Sequence, residues 1–263
     1  MPLLNAAIVT HSPILIPEIG KVNRNILNKT VEAYNDLASQ LQGNDIETII
    51  IISPHGQMQD NCFTINVGPE SVIDLSKFGY LGASRKFSSD LQLIGEIKEF
   101  AEANIQLVSQ EKLDYGCSVP LHLLTHNMPD VKIVAINYAG TLSLEQHWAL
   151  GEHLAKVIAN SAKRVAFIAS GDLSHRLKKN SPVGYSPKGA KFDNKLIEYL
   201  NNAETVQKNI FNMDAKLIKD ATECGLKSIV VLLGALNNLV YKPKMLAYQT
   251  ELGIGYLTMD FKL

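Results

Sequence analysis

The stretch Thr48-Ile49-Ile50-Ile51-Ile52-Ser53-Pro54-His55-Gly56 decides the fold. Consecutive isoleucines leave the run no polar face, so it suits a strand covered on both sides, as in a parallel sheet flanked by helices. Ser53-Pro54 closes the run abruptly and delivers His55 at the strand tip. Toward the amino terminus, Leu3 to Val9 is a second apolar run that ends in Thr10-His11-Ser12-Pro13. Between the two, Val22 to Leu41 places Ile26, Leu27, Tyr34, Leu37, Ala38 and Leu41 at helical spacing, with Gly43-Asn44 as the stop. Strand, helix, strand with a long connection implies a right-handed crossover. It predicts the two strand tips side by side, at the carboxyl edge where open α/β sheets bind ligands.

The same grammar continues along the chain. Cys62 to Val67 alternates as a strand, Asp90 to Ala103 reads as a helix, and Asp114-Tyr115-Gly116 reads as a turn before a helix over Val119 to Thr125. Val131 to Asn137 is an apolar strand, Leu144 to Ile158 a helix, and Arg164 to Ser170 a strand running into Gly171-Asp172-Leu173-Ser174-His175. Two or three helices are expected in Pro187 to Asp220, and an apolar helix over Leu226 to Leu239. Lys244 to Glu251 and Gly255 to Phe261 flank Leu252-Gly253-Ile254 and predict an antiparallel hairpin at the sheet edge. The polar segment Lys178 to Gly189, with Pro182, Gly184 and Pro187, reads as a surface loop or a flap, the surface loop being favoured. The expected fold is α/β: one domain over residues 1–263, a central, mostly parallel twisted sheet, helices on both faces and an antiparallel C-terminal edge hairpin.

Bulk properties narrow the function. With 25 basic and 26 acidic residues dispersed along 263, the formal net charge is -1, and no cationic stripe exists to neutralise a phosphate backbone, so nucleic acid is excluded as a partner. The longest apolar runs, such as Ile229 to Leu236, fall short of the roughly 20 residues a membrane span needs. The start Met1-Pro2-Leu3-Leu4-Asn5 lacks the basic region and long apolar centre of a secretory signal, and a cytoplasmic protein is expected. Cys62, Cys117 and Cys224 form no CxxC pair and read as free thiols.

Position singles out three of the seven histidines. His11, His55 and His175 each follow an apolar strand, where a histidine does little for folding and where α/β sites assemble. His147 and His153 fall on an amphipathic helix and read as solvated.

Thr10-His11-Ser12-Pro13, Ser53-Pro54-His55-Gly56, Gly171-Asp172-Leu173-Ser174-His175 and Ala221-Thr222-Glu223-Cys224-Gly225, in this order and spacing, resemble the signature segments of the catalytic subunit of class III extradiol ring-cleavage dioxygenases, the LigB-like superfamily. The resemblance implies a non-haem Fe(II) held by His11, His55 and Glu223, with His175 as the acid and base. Two imidazoles and a carboxylate on one face leave about three positions of a ferrous ion open. A catechol-like or aminophenol-like ring and O2 would fill them. Imidazole suits the proton transfers, since its ordinary pKa lies near 6.5. Asp172 would either orient a neighbouring histidine or cap the next turn.

Asp114-Tyr115-Gly116 with Pro120-Leu121-His122 resembles the segment that lines the family's substrate pocket, which makes Tyr115 and His122 catalytic candidates. Many ring-cleaving members carry histidine at the position of Tyr115. Tyrosine still donates a hydrogen bond but does not titrate near neutrality. Cys224 brings in the Memo-like proteins of the same superfamily, which carry a cysteine near this point. A thiolate there would favour Cu or Zn. Because Glu223 and Cys224 are adjacent, one of them is expected to face the metal, and the carboxylate is favoured. A zinc-dependent hydrolase is the third reading, since two histidines and a carboxylate also suit zinc that activates water. A homo-oligomer is the default expectation, and the resemblance also allows a small accessory subunit.

Overall fold

The computed structural model describes residues 2–82, 84–99 and 104–263. In chain order the elements are β1 (Leu3–Val9), α1 (Pro17–Gly20), α2 (Asn28–Gly43), β2 (Thr48–Ser53), β3 (Phe63–Asn66), β4 (Glu70–Ile73), β5 (Lys86–Ser88), α3 (Leu91–Glu99), β6 (Ile105–Val108), β7 (Lys112–Leu113), α4 (Tyr115–Leu124), β8 (Lys132–Asn137), α5 (Leu144–Asn160), β9 (Val165–Ser170), α6 (Pro187–Leu200), α7 (Val206–Phe211), α8 (Ala215–Ala221), α9 (Leu226–Leu236), β10 (Lys242–Gln249) and β11 (Tyr256–Lys262). The main sheet has the order β10-β11-β1-β9-β2-β8-β3-β6, and a small sheet joins β5, β4 and β7. Strands β1, β9, β2 and β8 run parallel, while β11 and β10 close one edge as the expected antiparallel hairpin.

The isoleucine run behaves as its composition requires. Alternate side chains serve opposite cores: Ile50 and Ile52 pack with α5 and α9 residues such as Leu150, Leu154 and Val230. Ile49 and Ile51 pack with Tyr34, Leu37 and Leu121 from α2 and α4. Each face therefore needs its own helical layer, and burying a full isoleucine side chain contributes about 1.5–3 kcal/mol.

Three expectations are corrected. The tips of β1 and β2 are not neighbours, because β9 lies between them and pairs with both. A crossover fixes handedness, and a later strand is free to insert. Asp114-Tyr115-Gly116 is no free turn: Asp114 caps α4, accepting the backbone N–H groups of Gly116 and Cys117, so the helix begins at Tyr115. His147 is fully buried between Phe63 and Tyr138. Its ring nitrogen Nδ1 reaches the Ser143 carbonyl, one helical turn back, at 2.7 Å. His153 is half-buried and donates from Nε2 to the Ile97 carbonyl at 2.8 Å.

Elsewhere the boundaries shift. The stretch Lys21–Leu27 winds as a 3-10 helix before α2. The helix expected over Asp90 to Ala103 is present over Leu91–Glu99, and 100–103 lie outside the described residues. Three helices occupy Pro187 to Ala221. The loop before α6 is pinned down: Ser181 is buried and its hydroxyl donates to the Gly253 carbonyl at 2.7 Å, which fits a surface loop better than a free flap.

Candidate metal centre

His11, buried, follows β1, and His55, half-buried, follows β2. Although β9 separates their strands, the Nε2 atoms lie 3.0 Å apart. The rings meet edge to face, with centroids 4.8 Å apart. Cys224 completes the group: one nitrogen of each histidine and the Cys224 sulfur all lie within 4.8 Å of one another.

The intervening strand carries the parts that orient His11. Ser170, the last residue of β9, donates its hydroxyl to the Gly116 carbonyl at 2.6 Å and lies 3.0 Å from His11 Nδ1. A hydroxyl has one proton, so toward His11 it can only accept. Nδ1 therefore carries the imidazole proton, and Nε2 presents a lone pair to the group. Asp172, two residues beyond Ser170, accepts from the Thr10 hydroxyl and, at 3.2 Å, from the His11 backbone N–H. Tyr34 from α2 donates to the Thr10 carbonyl. Asp172 thus orients the first histidine segment, one of the two roles open to it.

His55 is held from the other side. Its backbone N–H reaches the Ser53 hydroxyl at 3.3 Å, and that hydroxyl donates to Asp114 at 2.5 Å. Asp114 therefore joins the β2 tip to the start of α4. The junction needs glycine at 116, since a Cβ there would stand 2.3 Å from Ser53 Oγ. Tyr115, the first residue of α4, stacks on His55 at 4.3 Å, and its hydroxyl lies 2.8 Å from His55 Nε2. A cleft of about 650 Å³ opens beside His55 and Tyr115, with Phe78, Lys77, Lys112 and Asp114 also in its wall.

Burial makes both imidazoles reluctant to charge. It pushes the pKa of His11 down, opposed by the negative charges of Asp172 and Asp114. Burial, aided by the neighbouring His11, lowers that of His55 to about 4. Neutral imidazole is the form that binds a metal. The donor set fits a divalent ion: two neutral imidazole nitrogens 3.0 Å apart, with a sulfur beside them. Donors about 2.1 Å from one ion and at right angles would stand about 3 Å apart, close to the observed nitrogen separation.

The adjacent residues Glu223 and Cys224 part company. Cys224 Sγ lies 3.7 Å from His11 Nε2 and accepts the Asp172 backbone N–H at 3.3 Å. The close approach rests on Gly171 and Gly225, for a Cβ at Gly171 would fall 2.2 Å from Gly225 Cα. Glu223 stands outside the group. Its Oε2 accepts the Leu226 backbone N–H at 2.6 Å and so caps α9, and burial raises its pKa to about 7. Sequence reasoning favoured the carboxylate; the side chains as placed bring the thiol to the imidazoles instead.

His175 lies close enough for its charge to act on both His11 and His55. Its Nδ1 is 2.5 Å from the Thr222 carbonyl, an acceptor only, so Nδ1 is protonated and Nε2 is free to take a proton. His122 sits apart: its ring packs on Tyr80, 5.6 Å between centroids, and feels Glu18, Arg85 and His126. Sequence reasoning missed Ser170, Ser53 and Asp114 as supports of the site. The only signal for the first two was a serine at the end of a buried strand.

The family model described as the catalytic LigB subunit of aromatic ring-opening dioxygenase matches residues 5–257. Protein CA_C1420 of Clostridium acetobutylicum is 31% identical over 274 residues, covering 100% of this chain and 58% of that protein. A 3,4-dihydroxyphenylacetate 2,3-dioxygenase of Escherichia coli is 26% identical over 187 residues, 65% of each chain. This chain thus spans about three-fifths of the length of the curated relatives it matches. Among solved structures, the uncharacterized protein JW3007 of Escherichia coli K12 superposes with a TM-score of 0.71 at 15% identity, covering 98% of this chain and 99% of that one, which shows a shared fold.

Proposed function

Because the chain belongs to the family of catalytic LigB subunits of aromatic ring-opening dioxygenases, we propose that it is an extradiol dioxygenase that uses Fe(II) to insert O2 into a catechol-like or aminophenol-like ring. The observation that carries this reading is the pair of neutral imidazoles, His11 and His55, facing each other at the carboxyl edge of the sheet beside an open cleft. In this proposal His11, His55 and Cys224 hold the ion. Glu223 serves as the cap of α9 and is the alternative third ligand, should its carboxylate turn inward. When bound, ferrous iron supplies adjacent positions for the two ring oxygens and for dioxygen, and a route for electrons between them.

The protein's own residues divide the remaining work. Ser170 and Asp172 keep the His11 Nε2 lone pair aimed at the group. His175, protonated at Nδ1, takes the substrate hydroxyl proton at Nε2 and returns it later. Tyr115 donates a hydrogen bond from the cleft wall, and Phe78 offers a face against which the ring packs. No described helix is long and apolar enough to cross a membrane. A cytoplasmic enzyme of aromatic catabolism, one domain over residues 1–263, is the setting proposed.

The test is direct. Protein loaded anaerobically with Fe(II) is mixed with a panel of catechols and aminophenols and then exposed to air; the expected result is the yellow absorbance of a ring-opened product. Silence across the whole panel, with iron bound, would overturn the reading.

A second reading is favoured by Cys224 alone. A thiol beside two imidazoles suits the softer Cu(I) and Zn(II). On that reading the centre binds copper or zinc, does not cleave rings, and is Memo-like. Copper or zinc in stoichiometric amount on purification, with Cys224 protected from alkylation, supports it over iron.

A further inference from the structure

The segment that carries His175 has no regular secondary structure, so its shape depends on bonds to its surroundings. Backbone bonds tie it to the β10–β11 turn: Leu173 N–H donates to Gly255 O at 2.8 Å, Gly255 N–H to Ser174 O at 2.9 Å, and Leu177 N–H to Gly253 O at 3.1 Å. Others tie it to the end of α8, where His175 N–H and the Ser174 hydroxyl both reach Ala221 O, at 3.2 and 2.9 Å. Among the described residues, the charged side chain that holds this segment belongs to neither place. It is Asp193, in α6, with 0% of its surface exposed. Asp193 Oδ1 accepts the Ser174 backbone N–H at 2.9 Å, and Oδ2 accepts the Tyr248 hydroxyl at 2.7 Å.

A buried carboxylate is a costly way to satisfy one amide, and burial raises the pKa of Asp193 to about 6. What a carboxylate offers is two acceptors and no donor, so it fixes the Ser174 amide and the Tyr248 hydroxyl together in one sense. Ser174 passes the constraint on. Its hydroxyl donates to Ala221 O and accepts the Arg176 N–H at 3.1 Å. The carbonyl after Ala221 is that of Thr222, the one that holds His175 Nδ1. Thr222 itself adopts φ 51, a conformation rare for a β-branched residue, and persists because its neighbours over-determine it.

We infer that Asp193 is a positioning residue for His175: through Ser174 it locks the segment so that the Nδ1 proton stays on the Thr222 carbonyl and Nε2 stays open as the base. This rests on the role proposed for His175, and the experiment separates the two. Imidazole nitrogens of ¹⁵N-labelled, metal-free protein are observed by NMR, with His175→Gln identifying the resonances. The parent is expected to show one tautomer at His175, protonated at Nδ1. In Asp193→Ala the nitrogen shifts should move toward the average of two tautomers, and in Asp193→Asn, which retains an acceptor for Ser174, they should return toward the parent. If Asp193→Ala folds and leaves the His175 shifts unchanged, the inference fails. If it does not fold, Asp193→Leu, close in volume and without an acceptor for Ser174, replaces it, and unchanged His175 shifts there likewise overturn the inference. Moved shifts in a protein that cleaves no ring would sustain the inference while removing the dioxygenase reading. In an active enzyme, Asp193→Ala should lower kcat by about 10-fold or more with metal content unchanged, the usual scale for a residue acting through another on a site.

Discussion

The Nε2 atoms of His11 and His55 face each other across 3.0 Å, although their strands are separated by β9. Ser170 at the tip of that strand keeps the His11 proton on the far side of the ring. With its proton on Nδ1, His11 offers Nε2 as an acceptor, the form of imidazole that binds a metal. The pair suits a cation, and three consequences can be measured; a fourth measurement concerns the buried His147.

Metal content should follow the thiol more closely than the carboxylate. Elemental analysis of Cys224→Ser is expected to show loss of most of the bound metal, and Glu223→Gln to retain it. The opposite pattern, metal lost from Glu223→Gln and kept in Cys224→Ser, would place the carboxylate on the ion.

Ser170→Ala should weaken metal binding without touching the ion. The tautomer of His11 is set by the Ser170 hydroxyl, which the substitution removes. Chelator competition is expected to give an affinity lower by about 10- to 100-fold. An unchanged affinity would mean that the ring is fixed by other contacts.

Tyr115→Phe deletes the hydroxyl beside His55 Nε2 and keeps the stacked ring. Metal content should stay at the parental level, and ring cleavage should fall by about 100-fold, the lower end of the scale for loss of a positioned donor. Loss of metal instead would make the phenolic oxygen a ligand.

Stability should fall in mild acid because of His147. Its pKa is about 4 in the folded protein, held down mainly by burial, against an ordinary value of 6.5. Between these values the unfolded chain binds the proton and the native one does not, so stability declines as pH drops from about 6.5 to 4. The full contribution is roughly 3 kcal/mol. His55, also lowered to about 4, acts in the same sense, while Asp193, raised to about 6, and Glu223, raised to about 7, act in the opposite one. Denaturant unfolding of parent and His147→Gln across this range isolates the histidine, and the variant should show the shallower loss on acidification. Parallel curves would refute the assignment.

Much of this was legible in the order of residues. The apolar runs before His11, His55 and His175 located three strand tips, and the even burial demanded by consecutive isoleucines required helices on both faces. The hairpin at the edge followed from two short runs around Leu252-Gly253-Ile254. These are local properties: periodicity and chain-breaking residues act over a few positions, and they survive whatever the rest of the chain does.

Neighbourhoods between distant segments were beyond that reach. Only the assembled sheet put β9 between β1 and β2, and with it Ser170 and Asp172 beside His11. Only packing turned Cys224 toward His11 and left Glu223 at the start of α9, a choice between adjacent residues that no local pattern makes. Asp193 and His147 carry no sequence signal of burial, because a charged or titratable side chain reads as solvated until partners far along the chain close over it.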